Sequence, residues 1–275
     1  MATSTMTSRT TTRPRRIPVR KIGDADLKFA LRAGWEDFLD MRGDIFIAGL
    51  VYTFIGLAAV VMTTSRPLIP FFFPVVAGVG LLGPVAAVGF YELAKRREAG
   101  EDIHWFNFLD VRNRSTVDDM GIVAGLLLAI FTLWLVAAGI LYVSLFGWST
   151  PTSLAGFLTM IFTTPFGWAL IAGGAVVGAI FGWFVLAFSV ASLPMLVDRD
   201  VSAGEAVSAS WRAAHANKAE MIRWGLMVAG LLVLGSIPAF VGLAVVLPWL
   251  GYATWHLYTR LVDRDKIPAR KRRRD

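Results

Sequence analysis

The sequence predicts an all-α fold: a polytopic transmembrane helical bundle of six spans, with cytoplasmic interfacial amphipathic helices. Three observations predict it. Hydrophobic residues make up 56% of the 275-residue chain against 17% charged, with a mean hydropathy of +0.60, more apolar and less charged than soluble domains run. No Asp, Glu, Lys or Arg occurs from Met120 to Val197, a run that suits a bilayer, where each crossing helix needs about 20 apolar residues. Finally, 26 of the 27 Lys and Arg residues fall on one side of a six-span layout.

Residues 1–22 read as a disordered basic tail, because MATSTMTSRTTTRPRR is rich in Ser and Thr and has nothing to bury. The first hydrophobic run starts near Ile45, too far along for a cleavable signal. Residues 23–262 form the membrane domain. Its first span runs from about Ile45 to Met62 and its second from about Phe71 to Ala94, around Pro84. The third and fourth cover about 120–146 and 167–193. The apolar block from Met221 to Leu261 is about twice the length of one span. Gly235-Ser236-Ile237-Pro238 breaks it, so it divides into two helices joined by a tight turn. Pro84, Pro194 and Pro248 are expected to bend or end helices. Residues 263–275 are a second basic tail.

Charge supports the even count. Nine Lys and Arg precede the first span, five lie between the second and third, four between the fourth and fifth, and eight from Arg260 onward. Arg66 alone lies on the other side. The positive-inside rule places the basic side, and both termini, in the cytoplasm. The net charge of +7 and pI near 10 are thereby accounted for without nucleic acid.

Each cytoplasmic segment ahead of an odd-numbered span carries a related pattern. WEDFLDMR (Trp35 to Arg42) and WFNFLDVR (Trp105 to Arg112) share Trp, Phe, Leu, Asp and Arg in one register, and SWRAAHANK is a degenerate third copy with Trp211 and Lys218. Leu27, Leu31, Trp35, Phe38 and Leu39 form an apolar stripe at helical spacing, with Lys28, Arg32 and Glu36 off it at i, i+4 intervals. Ser202 and Glu205 make an S-x-x-E capping box. Such helices are expected to lie flat at the headgroup level. Trp35, Arg42, Trp105, Arg112, Trp211 and Lys218 would be membrane-interface anchors, the cations reaching lipid phosphate. The unit of one flat helix and two spans, repeated three times, gives a three-fold parallel repeat; the bland explanation is that Trp and Arg gather at interfaces anyway.

Gly174, Gly178 and Gly182 stand at the four-residue spacing that lets helices approach closely, within the chain or between two copies. In the uncharged loop before the fourth span, Leu154, Phe157, Leu158, Ile161 and Phe162 predict a short helix on the outer face.

Catalytic and cofactor motifs are missing from the sequence. It has no cysteine, which excludes disulfides and thiolate chemistry. His104, His215 and His256 lie near the cytoplasmic boundary with Glu92, but no pair has ligand spacing such as HxxxH, so no metal site or cofactor is expected. HExxH and phosphate-loop motifs are absent. The spans offer Thr, Ser and Tyr rather than ionisable groups, which disfavours ion-coupled transport.

Several stretches in order, RKIGDADLKFALRAGWEDF, GLVYTFIG, LLGPVAAVGFYELAKRRE, TTPFGWALI, SLPMLVDRDVSAGEA and VGLAVVLPWLGYATWHLY, resemble the bacterial predicted integral membrane proteins catalogued as domain of unknown function 2189. The similarity extends over roughly residues 20 to 262. It implies an all-helical inner-membrane protein of Gram-negative bacteria and brings no catalytic residue to this chain. The expectation is a non-enzymatic membrane scaffold or assembly protein, in contact with anionic membrane lipids and with a protein partner or a second copy. The alternative is a permease for an apolar or lipid-like substrate.

Overall fold

One unbroken helix, α1 (Asp24–Thr63), carries both the first amphipathic segment and the first predicted span. Its 40 residues reach about 60 Å at 1.5 Å per residue. Asp24 and Asp26 sit in its first turn, where the helix dipole favours negative charge. The Gly23 N–H donates to Asp26 Oδ2 at 3.0 Å, satisfying a backbone donor at the helix start. The structure is a computed structural model, and it describes residues 16–63, 66–71, 74, 83–104, 107–108, 117–149, 151–238 and 240–268.

A 3-10 turn, Arg66–Phe71, follows α1. Next come α2 (Val88–Glu98), α3 (Val117–Phe146), α4 (Leu154–Thr163) and α5 (Pro165–Ser189). The chain continues through α6 (Ser192–Asp198), α7 (Ala203–Ala216), α8 (Lys218–Ser236) and α9 (Leu243–Leu261), and ends in a 3-10 turn, Arg264–Lys266. Among the described residues there is no strand, only an isolated antiparallel bridge between Val19 and Val262.

Three described helical stretches are long and apolar enough to cross a membrane: Asp118–Phe146, Pro165–Asp198 and Lys218–Ser236. They match the third, fourth and fifth predicted spans. Their outward residues, among them Leu133, Ile140, Val176, Leu226 and Val233, are exposed, an apolar surface that suits lipid rather than water. Of the second predicted span, residues 72–73 and 75–82 lie outside the described residues. The sixth corresponds to α9, which starts only at Leu243 and carries His256 and Arg260.

The predicted break between the last two helices is present. α8 ends at Ser236 and α9 begins after Gly242, with Phe240 at φ +67°. A Cβ on Gly242 would come within 2.8 Å of the Gly235 carbonyl oxygen, so this turn leaves no room for a side chain at Gly242.

α1 and α9 pack antiparallel along their length. Gly34 meets Ala253, where an added Cβ would lie 2.6 Å from the Ala253 Cα, and Gly49 meets the Ala244 backbone. The first amphipathic segment is therefore not a separate helix lying flat. It runs directly into residues 45–62, and its stripe is divided: Leu27 and Phe38 are buried in the protein, whereas Trp35 and Leu39 remain exposed. The third copy differs, because Asn217 leaves helical geometry (φ −127°, ψ 42°) and separates α7 from α8.

The packed core lies where the first half of α1, α2, α6, α7 and α9 meet, around Leu27, Tyr91, Leu93, Met195, Leu196 and Trp255. Ile17 belongs to it at 1% exposure, as does Ile267 at 2%. Residues on both sides of the membrane domain, at 17–22 and 263–267, thus pack against it. The cause is pairing of the two ends: Arg20 N–H donates to the Leu261 carbonyl at 2.8 Å, and Asp263 N–H to that of Pro18 at 3.2 Å. The disorder expected for residues 1–15 lies outside the described residues.

A second, smaller core joins the 3-10 turn to α3, α4 and α5 through Ile69, Tyr142, Phe157 and Ile161. The short helix predicted ahead of the fourth span is α4, started by Ser153, whose side chain accepts from Gly156 N–H at 3.1 Å. Its Phe157 and Ile161 point into this core.

Candidate functional site

The charged residues collect where α2 ends. α2 closes with Lys95, Arg96, Arg97 and Glu98; the three cations suit the negative end of a helix dipole, and the group as a whole reaches α1, α6 and α9. Arg97 Nε lies 3.1 Å from Asp37 Oδ1 of α1, and its guanidinium also contacts Asp40. Asp37 Oδ2 takes a second partner, His256 Nε2 of α9, at 2.8 Å. One carboxylate, 6% exposed as a residue, thereby joins α1, α2 and α9. Lys95 Nζ donates to the Val197 carbonyl of α6 at 2.8 Å.

A second group adjoins it. Arg264 grips Glu98 with both terminal nitrogens, Nη1 at 3.0 Å from Oε2, the bidentate geometry that makes Arg–carboxylate pairs strong. Trp255 Nε1 donates to the same Oε2 at 3.2 Å. Burial alone would raise the Glu98 pKa; the hydrogen bonds and charge of Arg264, with the Trp255 N–H, outweigh it and hold the carboxyl below its usual range. Burial would likewise lower Arg264, and Glu98 with Asp198 overcomes it, so the guanidinium stays charged. Asp198, at the end of α6, accepts from Tyr258 O–H and Arg199 Nε, each at 3.0 Å.

The segment ahead of α1 is held at Arg20 and Ile22 by Asn217. Its side-chain oxygen accepts from Ile22 N–H at 2.9 Å, while its amide donates to the carbonyls of Arg20 at 3.0 Å and Ala213 at 2.9 Å. α7 is set in place by its predicted capping box, Ser202 with Glu205, and by Asp119 of α3, which accepts from Ala203 N–H at 2.8 Å.

The proposed anchors meet different fates. Trp35, at 37% exposure, packs edge-on to Trp249 with ring centres 5.0 Å apart, and lies near Phe38. Trp211 stacks on Phe188 of α5 at 5.0 Å, which fixes α7 to α5, and its ring is tilted against that of His215, one turn on in α7, at 4.0 Å. Lys218 is exposed at the first turn of α8. Trp105, Arg112 and the side chain of Arg42 lie outside the described residues.

Gly174, Gly178 and Gly182 have no described neighbour within 4 Å of an added Cβ. Close backbone approaches between α1 and α9 are made by Gly34 and Gly49. Those two are isolated in sequence, so a search for four-residue spacing passes over them; the signal that could have found them is a matching Ala on the opposing helix.

The histidines go to separate partners. His256 meets Asp37, His215 Nδ1 lies 3.0 Å from the Trp211 carbonyl, and His104 donates its backbone N–H to Asn107 Oδ1 at 2.8 Å. Glu92 is fully buried, with Oε1 3.0 Å from Arg96 Nε; the predicted second span therefore ends on a buried ion pair rather than on apolar residues alone. Among the described residues no three His, Asp or Glu side chains form a group fit to hold a metal ion.

Residues 72–198 match the model of a family described as predicted integral membrane protein (DUF2189). The resemblance read from the sequence therefore holds over that stretch, which runs from the second predicted span through α6; α1 and α9 lie outside it. Neither the curated proteins nor the solved structures give a match.

Proposed function

We propose that this integral membrane protein, matched to that family over residues 72–198, is a non-enzymatic scaffold or assembly protein of a bacterial inner membrane. One observation carries the reading: the polar side chains at the packed end join helices to one another. Asp37 ties α1 to α2 and α9, and Glu98 and Asp198 tie α2 and α6 to Arg264 and α9. Buried charges used in this way favour one arrangement of elements, a rigid platform from which apolar helices enter the bilayer.

The six-span layout with both ends in the cytoplasm has support from the pairing of Val19 with Val262. Two ends that pair side by side share a compartment, which requires an even number of crossings. The shared Trp and cation at Trp35 to Arg42 and at Trp105 to Arg112 support the repeat, and the exposed Lys218 supports an anchoring role at the start of α8. A protein partner or second copy would use the open face of α5 along Gly174, Gly178 and Gly182. That same little-buried face favours the alternative, a permease for a lipid-like substrate.

Reconstitution separates the two. Proteoliposomes carrying the full chain and a fluorescent phospholipid should show no more exchange between leaflets than protein-free vesicles. Exchange that rises with protein density would overturn the scaffold reading in favour of transport.

A further inference from the structure

Residues 17–22 run beside the second half of α7 toward the start of α8. Arg212 Nη2 donates to the Ile17 carbonyl at 3.0 Å, and Asn217 closes the same seam at Arg20 and Ile22. Arg212 is held from its other side as well, with Nη1 donating to Ser208 Oγ at 2.7 Å. Its guanidinium is thus fixed in orientation, while three of its five N–H donors are left for another acceptor. Arg16, exposed, directly precedes the residue that Arg212 holds.

Nearby cations have carboxylates: Arg20 pairs with Asp263 at 2.6 Å, and Arg223 with Asp24. Among the described residues neither Arg16 nor Arg212 forms an ion pair. Partial burial, and after it the charge of Arg16, press the Arg212 pKa below its ordinary value. Five residues beyond Arg212, Asn217 gives way to α8, one of the stretches apolar enough to cross a membrane. The seam therefore lies where a lipid headgroup would be.

We propose that Arg16 and Arg212 together bind the phosphate of an anionic lipid headgroup at this seam. Guanidinium groups suit phosphate because their planar donors engage two oxygens at once. Ser208, whose Oγ accepts from Arg212, keeps a hydroxyl proton for a third contact. The site rests on the reading that α8 enters a bilayer at Lys218, and gives the lipid partner of that reading a definite address.

The test uses the full chain in mild detergent, mixed with phosphatidylglycerol and phosphatidylcholine, with bound lipid counted by native mass spectrometry. The wild type should retain phosphatidylglycerol preferentially. Arg16→Gln and Arg212→Gln should each weaken that retention about five-fold, as expected for one basic side chain near an anionic surface. Lys28→Gln, an exposed cation elsewhere, should leave it unchanged. Retention equal to wild type in the double variant would overturn the site. Should Arg212→Gln fail to fold, Arg16→Gln decides alone, since it leaves both Arg212 hydrogen bonds in place. Displacement of the lipid by equimolar inorganic phosphate would reassign the seam to a free anion. Resistance of each variant to alkaline extraction from membranes reports on the membrane reading separately, so either idea can fail without the other.

Discussion

Gly49 of α1 lies against the carbonyl of Ala244 in α9, close enough that a methyl group in place of its hydrogen would collide with the Ala244 backbone. Four residues after Ala244 comes Pro248. Proline has no N–H, so the Ala244 carbonyl cannot receive its usual intrahelical bond. The Gly49 Cα hydrogen points at that oxygen, a weak but favourable contact that recurs at helix–helix interfaces. A proline that reads as a helix-bender in the sequence thus serves as half of an interhelical contact.

Gly49→Val should cost about 1–3 kcal/mol through overpacking, as should Gly34→Val, which meets Ala253. Gly178→Val, with no described neighbour, should stay within about 0.5 kcal/mol of wild type. Thermal unfolding in detergent, followed by tryptophan fluorescence, ranks the three. Equal effects would place the close helix contact at α5 after all.

Asn217→Ala removes three hydrogen bonds at a buried position and should destabilise on the order of 2–3 kcal/mol. Its more specific outcome is release of the N-terminal segment. Trypsin should cut at Arg20 or Lys21 well before the rest of the chain is digested, whereas wild type resists there.

Glu98 titrates below its ordinary value of 4.5 because Arg264 and Trp255 overcome burial. A carboxyl lowered in the folded state adds stability that is complete above the unfolded pKa and lost as pH falls through the folded one. Stability should therefore decline on acidification below about pH 4.5. Glu98→Gln should flatten that decline while lowering stability at neutral pH. An unchanged acid limb would remove Glu98 from the network.

Val19 and Val262 form a non-hydrogen-bonded antiparallel pair, flanked by the bonds from Arg20 and Asp263. Such pairs bring Cα atoms to about 4.5 Å, within reach of a disulfide. Because the chain has no cysteine, Val19→Cys with Val262→Cys should oxidise cleanly to a crosslinked monomer. In intact cells, both sites should react, or resist, together toward an impermeant thiol reagent. Opposite labelling would defeat the even count of crossings.

The helical character, three apolar spans, the break after Gly235, the α7 capping box and the short helix ahead of the fourth span were all legible in the sequence. Each rests on local physics: hydrophobic length, backbone punctuation, or a side chain reaching a donor three residues away. Other local patterns left their role open, since the stripe from Leu27 to Leu39 and the glycines from Gly174 to Gly182 read the same whether a helix, lipid or nothing covers them. What covers them is a property of distant segments. Only the tertiary structure brought Asp37 to His256, Glu98 to Arg264, and Asn217 to Ile22. Those pairs lie far apart along the chain, and a charged residue in sequence carries no mark of which opposite charge the fold will set beside it.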